Sequence, residues 1–376
     1  MSEEIILCFS KTSDSSAYNV LICIPDPTDP NPQSPISWIF KGPVTLAVTP
    51  KAQSLPGICF DETNDLLLMA LWPLLDSSYA LRISSHLDVI DSTELAPTAF
   101  MVVGETILQY ITMATTNGCA VIKTIVPSLG GDVDNVYWIR QPSSTDWYKI
   151  TMTPSPTQGF PSPLPAVNGQ LICPASRFPN FTYMHYLSMR ASYDSSTWNF
   201  YLDSFQPQYL PTNSDAGCNC TRTQIQLDSS LPFFFQAVTS LGYTVTSKAA
   251  GDTEAYLLYI FWSSGNNSAI YYQYIELESD GSLNTATDII KGQGSSFVTN
   301  MDSGDADSFS IVQAMGRVFC FVGSGSSCMG MTSSIESDGT IQGDWVSVSS
   351  SRPPSTDIVS CISVPKSWYS MPSSLE

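Results

Sequence analysis

Short apolar runs, separated by loops rich in Gly, Ser, Pro and Asp, recur along the whole chain. The succession is clearest in Ser310–Trp345, where Gly316 and the Asp338-Gly339 pair stand between runs. Glycine reaches positive φ without steric cost, so both positions suit tight turns between antiparallel strands. One such unit cannot bury both faces of its own sheet. The pattern therefore predicts neighbouring units of the same kind.

The same succession fits six times. The second runs of the units are Glu4–Ser10, Leu66–Trp72, Thr106–Met113, Gln170–Ser176, Ala255–Trp262 and Arg317–Gly323. The third runs are Tyr18–Ile24, Tyr79–Ser85, Cys119–Val126, Tyr183–Arg190, Ala269–Ile275 and Cys328–Ile335. The first runs are Pro56–Phe60, Pro97–Val103, Pro163–Val167, Pro232–Val238 and Ser308–Met315. Helical periodicity is almost absent, so the sequence predicts an all-β protein.

The first unit lacks a first run, and Asp357–Val364 near the other end of the chain can supply it. Such a strand would remove the exposed edge of an open array. The prediction is therefore a six-bladed β-propeller closed by a C-terminal strand, in one domain spanning residues 1–376. The blade cores are predicted near residues 4–50, 56–95, 97–155, 163–205, 232–290 and 308–350, with a closing strand at 357–364 and an insertion at 202–231.

The overall charge narrows the choice of partners. The 376-residue chain carries a formal net charge of −19, which would repel nucleic acids and anionic membranes. No apolar run approaches the roughly 18 residues needed to span a bilayer. We therefore predict neither a nucleic-acid nor a membrane partner, and the sequence leaves a homo-oligomer open.

Three N-glycosylation sequons, at Asn180, Asn219 and Asn266, accompany ten cysteines. Residues 1–20 lack the charged and apolar regions of a signal peptide. Sequons on predicted loops fit a secreted glycoprotein whose signal has been removed. We therefore expect a secreted or secretory-pathway protein.

Residues for acid–base, metal or cofactor chemistry are scarce. The only histidines, His86 and His185, fall in different units and are interpreted as structural. No phosphate-binding loop and no dinucleotide fingerprint is present, so no cofactor and no metal is predicted. Cysteines in second runs fit small buried residues, whereas the pairs Cys320–Cys328 and Cys218–Cys220 could form disulfides.

Aromatic residues suggest a site at the axis. Phe100-Met101 and Phe233–Gln236 fall in predicted innermost strands, which line the axis of a propeller. Large rings there imply a wide apolar pocket whose few polar groups are Gln236 and Gln313, although the same rings could fill a plugged channel or the core between blades. Tryptophans in predicted outer runs are expected to pack rather than bind; these are Trp38, Trp198 and Trp345.

Two resemblances suggest functions. The run AIYYQYIELESDGSL at Ala269–Leu283, with a closing tryptophan, resembles the fungal fucose-binding lectins. That likeness implies six blades with sugar pockets between them, each using Arg, Glu and Trp. Arg82 and Arg190 are the arginines nearest to such positions.

The chain is also similar in size, sequon content and lack of acid–base machinery to the fungal hetero-Diels–Alderases of tropolone–sesquiterpene biosynthesis. This likeness implies a cofactor-independent pericyclase that joins a tropolone quinone methide to a macrocyclic sesquiterpene, both small apolar substrates. Such a cycloaddition needs two reactants held in the correct orientation, which can lower the activation barrier by roughly 7–11 kcal/mol. A hydrogen-bond donor to the diene carbonyl oxygen would lower the barrier further. Gln236 and Gln313 are the predicted catalytic donors. The predicted substrate-binding residues are Phe100, Met101, Phe233, Phe235, Trp72 and Trp262. We predict this pericyclase, with a secreted carbohydrate-binding lectin as the alternative.

Overall fold

The computed structural model describes a series of segments rather than the whole chain. They are residues 4–11, 17–24, 37–45, 57–61, 66–71, 79–83, 90–91, 110–116, 118–125, 136–142, 144, 147–156, 166–174, 177–191, 198–211, 216–225, 238–250, 253–264, 269–283, 294–298, 308–324, 327–348 and 360–368.

The protein is all-β. In chain order the strands are β1 (Glu4–Lys11), β2 (Ala17–Ile24), β3 (Ser37–Thr45), β4 (Gly57–Asp61), β5 (Leu66–Leu71), β6 (Tyr79–Ile83), β7 (Ile90–Asp91), β8 (Tyr110–Thr116), β9 (Cys119–Ile125), β10 (Val136–Arg140), β11 (Tyr148–Pro156), β12 (Ala166–Ile172), β13 (Met184–Ala191), β14 (Trp198–Phe205), β15 (Ala216–Ile225), β16 (Val238–Ala250), β17 (Thr253–Ser264), β18 (Ala269–Leu277), β19 (Ser295–Val298), β20 (Ser308–Ala314), β21 (Arg317–Ser324), β22 (Ser327–Ser334), β23 (Val346–Val348) and β24 (Ser360–Pro365). Within the described segments the helical elements are two single 3-10 turns, Pro207–Tyr209 and Lys366–Trp368.

Most strands belong to antiparallel sheets of four. Their orders are β24-β1-β2-β3, β4-β5-β6-β7, β16-β17-β18-β19 and β20-β21-β22-β23. An eight-stranded sheet has the order β12-β13-β14-β15-β11-β10-β9-β8. It consists of two antiparallel units, β8–β11 and β12–β15, joined by parallel pairing of their last strands from Ile150↔Ala216 to Pro156↔Arg222.

The first strands of these units form a ring. Each of β4, β8, β12, β16, β20 and β24 contacts the next in this order, and β24 contacts β4. The hydrophobic core lies between the facing sheets, as in a propeller. Strand β17 is apolar at successive positions because both of its faces are buried. Leu258 and Ile260 face the β12–β15 side, whereas Leu257 and Phe261 face the β20–β23 side. The arrangement is propeller-like.

Strand β24 covers most of the strand expected at Asp357–Val364. It pairs antiparallel with β1, from Glu4↔Pro365 to Phe9↔Ser360. The Cys361 N–H donates to Ser310 Oγ on β20 at 3.0 Å. The end of the described chain thus supplies the first strand of the unit that its beginning starts.

Strand positions in the middle of the chain differ from the prediction. Thr106–Met113 is predicted as a second strand, but β8 is the first strand of its unit and starts at Tyr110. Two predicted runs, Pro163–Val167 and Gln170–Ser176, contribute to the single strand β12. Asn-Gly is typical of a hairpin turn. Gly169 instead lies inside β12, where the Tyr186 hydroxyl passes so close that a Cβ would overlap it.

The insertion predicted at residues 202–231 contains the end of β14 and all of β15. Its polar composition hid the strand. Arg222, buried on β15, forms a bidentate pair with the buried Asp203 on β14, with both N···O distances at 2.6 Å. A buried charge that is paired and hydrogen-bonded can occupy a core position, and its residue type does not suggest burial.

Two near-identical turns, Glu278–Ser282 and Glu336–Thr340, occupy equivalent places after β18 and β22. In each, the glycine N–H donates to the glutamate carbonyl at 2.9 Å, and Gly281 and Gly339 both have φ of 84°. Positive φ is where glycine is favoured over other residues. The repeated sequence therefore encodes a repeated backbone conformation.

Both turns contact the preceding unit of the ring. The Thr182 N–H donates to the Asp280 carbonyl at 2.9 Å, and Thr246 Oγ1 donates to the Gly339 carbonyl at 2.6 Å. The turns thus link neighbouring sheets through backbone carbonyls, in addition to the apolar packing between the sheets.

Candidate functional site

The ring of first strands surrounds a cavity of about 260 Å³. Each strand of the ring contributes to its wall. Many of the lining residues are polar, among them Thr112, Thr115, Gln170, Tyr243, Ser310 and Gln313. In the described part of the chain the cavity is therefore smaller and more polar than the wide apolar pocket that the aromatic residues suggested.

Gln313, a predicted catalytic donor, lies on this wall, and its amide is held by neighbours. In the orientation that satisfies its hydrogen bonds, its nitrogen donates to the Val245 carbonyl at 2.6 Å and to Thr244 Oγ1 at 3.3 Å. Its oxygen accepts from Arg177 Nη1 at 3.3 Å. A primary amide has two hydrogens, and both are used here. A substrate would have to displace one of these contacts.

Arg177, which borders the cavity, forms an ion pair with Glu4. Arg177 Nη2 donates to Glu4 Oε1 at 2.5 Å and to the Gln313 backbone carbonyl at 2.9 Å. The other oxygen of Glu4 accepts from the Met315 N–H at 2.7 Å. This network connects β1 to the β20–β21 turn and to the segment after β12. Its contacts are those of a structural link between units.

The remaining predicted site residues divide into two groups. Trp262 is fully buried in the core between the β12–β15 and β16–β19 units, close to Tyr271 and Phe200 at ring-centroid distances of 6.1 Å and 5.5 Å. It does not line the cavity. The others lie outside the described residues: Trp72, Phe100, Met101, Phe233, Phe235 and Gln236.

Thiol and phenol groups near the cavity remain protonated at neutral pH. Burial raises the pKa of the Cys59 thiol and of the Tyr243 hydroxyl, both on the cavity wall, well above their usual ranges. It also raises the pKa of Cys119, on β9, to about 12. The reactive form of cysteine is the thiolate. These groups are therefore poor nucleophiles. Cys218 and Cys220, which were candidates for one disulfide, carry free thiols. The side chain of Cys328, the candidate partner of Cys320, lies outside the described residues.

His185 is buried at the contact between β13 and the Glu278–Ser282 turn. Its Nδ1 lies 2.8 Å from Ser204 Oγ, and its Nε2 lies 2.8 Å from the Gly281 carbonyl. Because a carbonyl accepts, Nε2 carries the proton. Burial is the main cause that lowers the pKa of His185 to about 4, against a partial rise from the Gly281 bond. The arrangement is structural. His86 lies outside the described residues.

Acid should weaken the protein through His185. In the unfolded chain this imidazole binds a proton below pH about 6.5, whereas in the folded protein it does so only near pH 4. Between these values the unfolded state holds more protons. Stability should therefore fall as the pH drops through this window, by on the order of 1 kcal/mol per pH unit.

Urea unfolding of wild type and His185→Gln at pH 7, 6 and 5 checks this expectation. Glutamine can hydrogen-bond to both neighbours without titrating, so the wild type should lose more stability than the variant on acidification. Equal pH slopes for the two proteins would contradict it.

Arg190, one of the arginines considered for sugar binding, lies in the core. It is 1% exposed, its Nε donates to Ser188 Oγ at 2.9 Å, and its Nη2 lies 3.6 Å from Asp203 Oδ2. A group buried among these partners cannot contact a ligand at the surface. The side chain of Arg82 is outside the described residues.

A second pocket lies at the surface of the β20–β23 sheet. Its walls combine a guanidinium, an amide, a carboxylate, a hydroxyl and an indole, from Arg317, Ser334, Gln342, Gly343, Asp344, Trp345 and Val346. Gln342 and Asp344 are exposed, and Arg317 and Trp345 are half-buried. This dense set of hydrogen-bonding groups beside an aromatic ring can bind a polar molecule that also has an apolar face.

Packing fixes the Trp345 ring in this surface pocket. The ring stacks on Phe297 of β19 with centroids 3.9 Å apart and planes 16° apart, and its Nε1 lies 3.4 Å from the Tyr272 hydroxyl. Its backbone N–H donates to the Gly343 carbonyl at 3.0 Å. The expected packing role of Trp345 is therefore present. Its exposed part additionally borders the pocket, a role that its place in a predicted outer run does not indicate.

Comparisons with known proteins give only distant likenesses. No family model and no curated protein matches the chain. The structure of SapL1 lectin in complex with alpha methyl fucoside matches with 9% identity and a TM-score of 0.48, over 94% of this chain and 96% of that one. The structure of AofleA from Arthrobotrys oligospora matches with 9% identity and a TM-score of 0.42, over 97% and 92%. TolB from Acinetobacter baumannii matches with 9% identity and a TM-score of 0.45, over 96% and 66%. Likenesses this distant carry no conclusion about ligand or activity.

Neither a membrane-spanning helix nor a metal-binding cluster is found in the described segments. None of their helices is long and apolar enough to cross a membrane. No group of three or more His, Cys, Asp or Glu residues in them is arranged to hold a metal ion.

Proposed function

We propose that this chain is a six-bladed β-propeller that binds carbohydrate at the surface pocket formed by Arg317, Ser334 and Gln342–Val346. The ring of first strands supports the count of six, with the β8–β11 and β12–β15 units as two blades joined at their outer strands. Strand β24 would close the propeller on β1.

One observation carries the binding proposal: a fixed indole stands beside a concentrated set of donors and acceptors. A sugar presents hydroxyls at its edge and C–H groups on its face. An aromatic ring matches the face, and Arg, Gln, Asp and Ser side chains match the hydroxyls. Because Phe297 and Tyr272 hold Trp345 in place, little side-chain entropy would be lost on binding.

The cycloaddition remains a second proposal with one supporting observation, which is that Gln313 lies at the axial cavity. Two features favour carbohydrate binding over it. The cavity volume, about 260 Å³, is below the roughly 300–1,000 Å³ of pockets for one drug-sized ligand. In addition, both hydrogens of the Gln313 amide are used within the protein.

Secretion and N-glycosylation also remain proposals. The Asn180 and Asn219 side chains are exposed, as a glycan would require, and Asn266 lies outside the described residues. A secreted lectin with glycans at these positions is consistent with the proposed function.

Removing one side chain of the pocket should weaken sugar binding. Gln342→Ala deletes an exposed amide and is expected to lower affinity about fivefold, since a hydrogen bond contributes roughly 1 kcal/mol. A glycan array would first identify a ligand. Titration calorimetry of wild type and variant with that ligand would then measure the change.

Gln208→Ala is the matched control, because it deletes an exposed glutamine on the Pro207–Tyr209 turn, which does not line the pocket. Affinity should be unchanged in this control. If Gln342→Ala also bound with wild-type affinity, or if no glycan bound to the wild type, the proposed site would be wrong.

A further inference from the structure

The hydrogen bonds of Arg317 are made to neutral groups. This residue begins β21 and contacts the end of β22, where its Nε donates to Thr332 Oγ1 at 3.2 Å and its Nη1 donates to Ser334 Oγ at 3.0 Å. Both acceptors are uncharged hydroxyls. They hold the plane of the guanidinium at the pocket without neutralising its charge.

The electrostatics of Arg317 agree with this geometry. Burial lowers the pKa of its guanidinium from the ordinary value, and burial is the only cause of the shift. Among the described residues, no ion pair joins Arg317 to a carboxylate, even though Asp344 borders the same pocket. The cation Lys248 differs, because Glu276 lies 2.9 Å from its Nζ and raises its pKa.

A half-buried cation that has no counter-ion among the described residues is a costly feature, since desolvation of a charge is favourable only when an opposite charge compensates it. An anionic ligand group would supply that compensation. Arginine is suited to this role because its N–H groups form a fork that matches the oxygens of a carboxylate or a sulfate. Two of its N–H groups are already used by Thr332 and Ser334, which orients the remainder.

We infer that the Arg317 pocket selects saccharides bearing a negative charge, a carboxylate or a sulfate ester, over their neutral counterparts. This inference rests on the proposed function and adds the chemical class of the ligand. The acidic group pairs with the guanidinium while the sugar ring lies beside Trp345. The net charge of −19 on the whole protein repels anions at long range, whereas Arg317 attracts one at the pocket. The preferred ligand is therefore a saccharide with one anionic group rather than a polyanion.

The test is a glycan array in which each acidic structure is paired with its neutral parent: glucuronides with glucosides, and galactose 6-sulfates with unmodified galactosides. Titration calorimetry of the bound members follows, at low and at high salt. Wild type should bind the acidic member at least tenfold more tightly, and high salt should reduce the difference. The glucuronide and sulfate pairs show which anion is preferred.

Two variants of equal charge change locate the effect. Arg317→Gln should lose the preference for acidic members and keep its folded circular dichroism spectrum. Lys248→Gln also removes one positive charge, from a surface ion pair outside the pocket, and should keep the preference.

Three outcomes would overturn the inference. Equal binding of acidic and neutral members by the wild type would overturn it and leave carbohydrate binding intact. A preference that persists in Arg317→Gln would place the selectivity elsewhere and have the same consequence. Binding of no member of any pair would overturn the proposed function as well.

Discussion

Deletion of β24 is expected to leave the chain unable to fold into a soluble monomer. The strand pairs with β1 along Ser360–Pro365 and also lies between β20 and β4 in the ring. Without it, β1 becomes an exposed edge strand, and its buried side chains Ile6 and Leu7 become accessible to solvent. The loss should exceed the roughly 5–15 kcal/mol by which a native protein is stable. Soluble yield and size-exclusion chromatography of a chain ending before Ser360 measure the effect.

A chain ending after Trp368 is the matched control, because it keeps β24 and the 3-10 turn that follows it. This shorter deletion should give a monomer with an unchanged melting temperature. A soluble and equally stable monomer lacking β24 would show that closure by this strand does not hold the ring together.

Gly339→Ala is expected to cost about twice as much stability as Gly316→Ala. Both glycines have positive φ, 84° and 72°. They differ in the space beside them. A Cβ on Gly339 would overlap the Ser247 carbonyl oxygen, whereas a Cβ on Gly316 would have nothing within 4 Å. Alanine at Gly316 should cost roughly 1–2 kcal/mol for its backbone conformation. At Gly339 the clash adds roughly 1–3 kcal/mol.

Urea unfolding measures the free energy of unfolding of both variants. The loss in Gly316→Ala gives the cost of alanine at positive φ, and the additional loss in Gly339→Ala gives the cost of the clash with Ser247. The Gly339 carbonyl accepts from Thr246 of β16, so the contribution of this turn depends on how closely its backbone approaches that strand. If both variants lost the same free energy of unfolding, the contact between the turn and the neighbouring sheet would contribute little to stability.

Local sequence signals predicted the last unit well. The runs around Gly316 and the Asp338-Gly339 pair correspond to β20, β21 and β22 within a few residues. These strands are joined by short turns whose residue types report their conformation. In the unit before it, the first strand was predicted at Pro232–Val238, but the structure has β16 at Val238–Ala250. In the β8–β11 and β12–β15 units the same rules assigned several strands incorrectly. The Asn168-Gly169 pair lies within strand β12, where glycine leaves room for the Tyr186 ring of the neighbouring strand β13.

Local sequence signals could not predict the pairing of β11 with β15 either. Parallel pairing joins residues far apart in sequence, and β11 contains Pro154 and Pro156, which usually argue against a paired strand. The strand β15 was hidden because the burial of Arg222 depends on Asp203 of the neighbouring strand. Long-range pairing of this kind leaves no periodic trace in the sequence.

The candidate sites show the same limit. Gln313 lies on the wall of the axial cavity, but its residue type could not reveal that Val245 and Thr244 already use its amide hydrogens. The surface pocket was missed because Arg317 and Trp345 are separated along the chain and meet only through the pairing of β21, β22 and β23. The available signal was the tryptophan that follows the Asp338-Gly339 turn.

The most direct test of the central claim is a crystal structure of the protein with an oligosaccharide selected on the array. We predict six four-stranded blades around one axis and a sugar ring against Trp345, within hydrogen-bond distance of the Arg317 guanidinium. A different number of blades would contradict the proposed fold. A sugar bound in the axial cavity, with the Arg317 pocket empty, would contradict the proposed site.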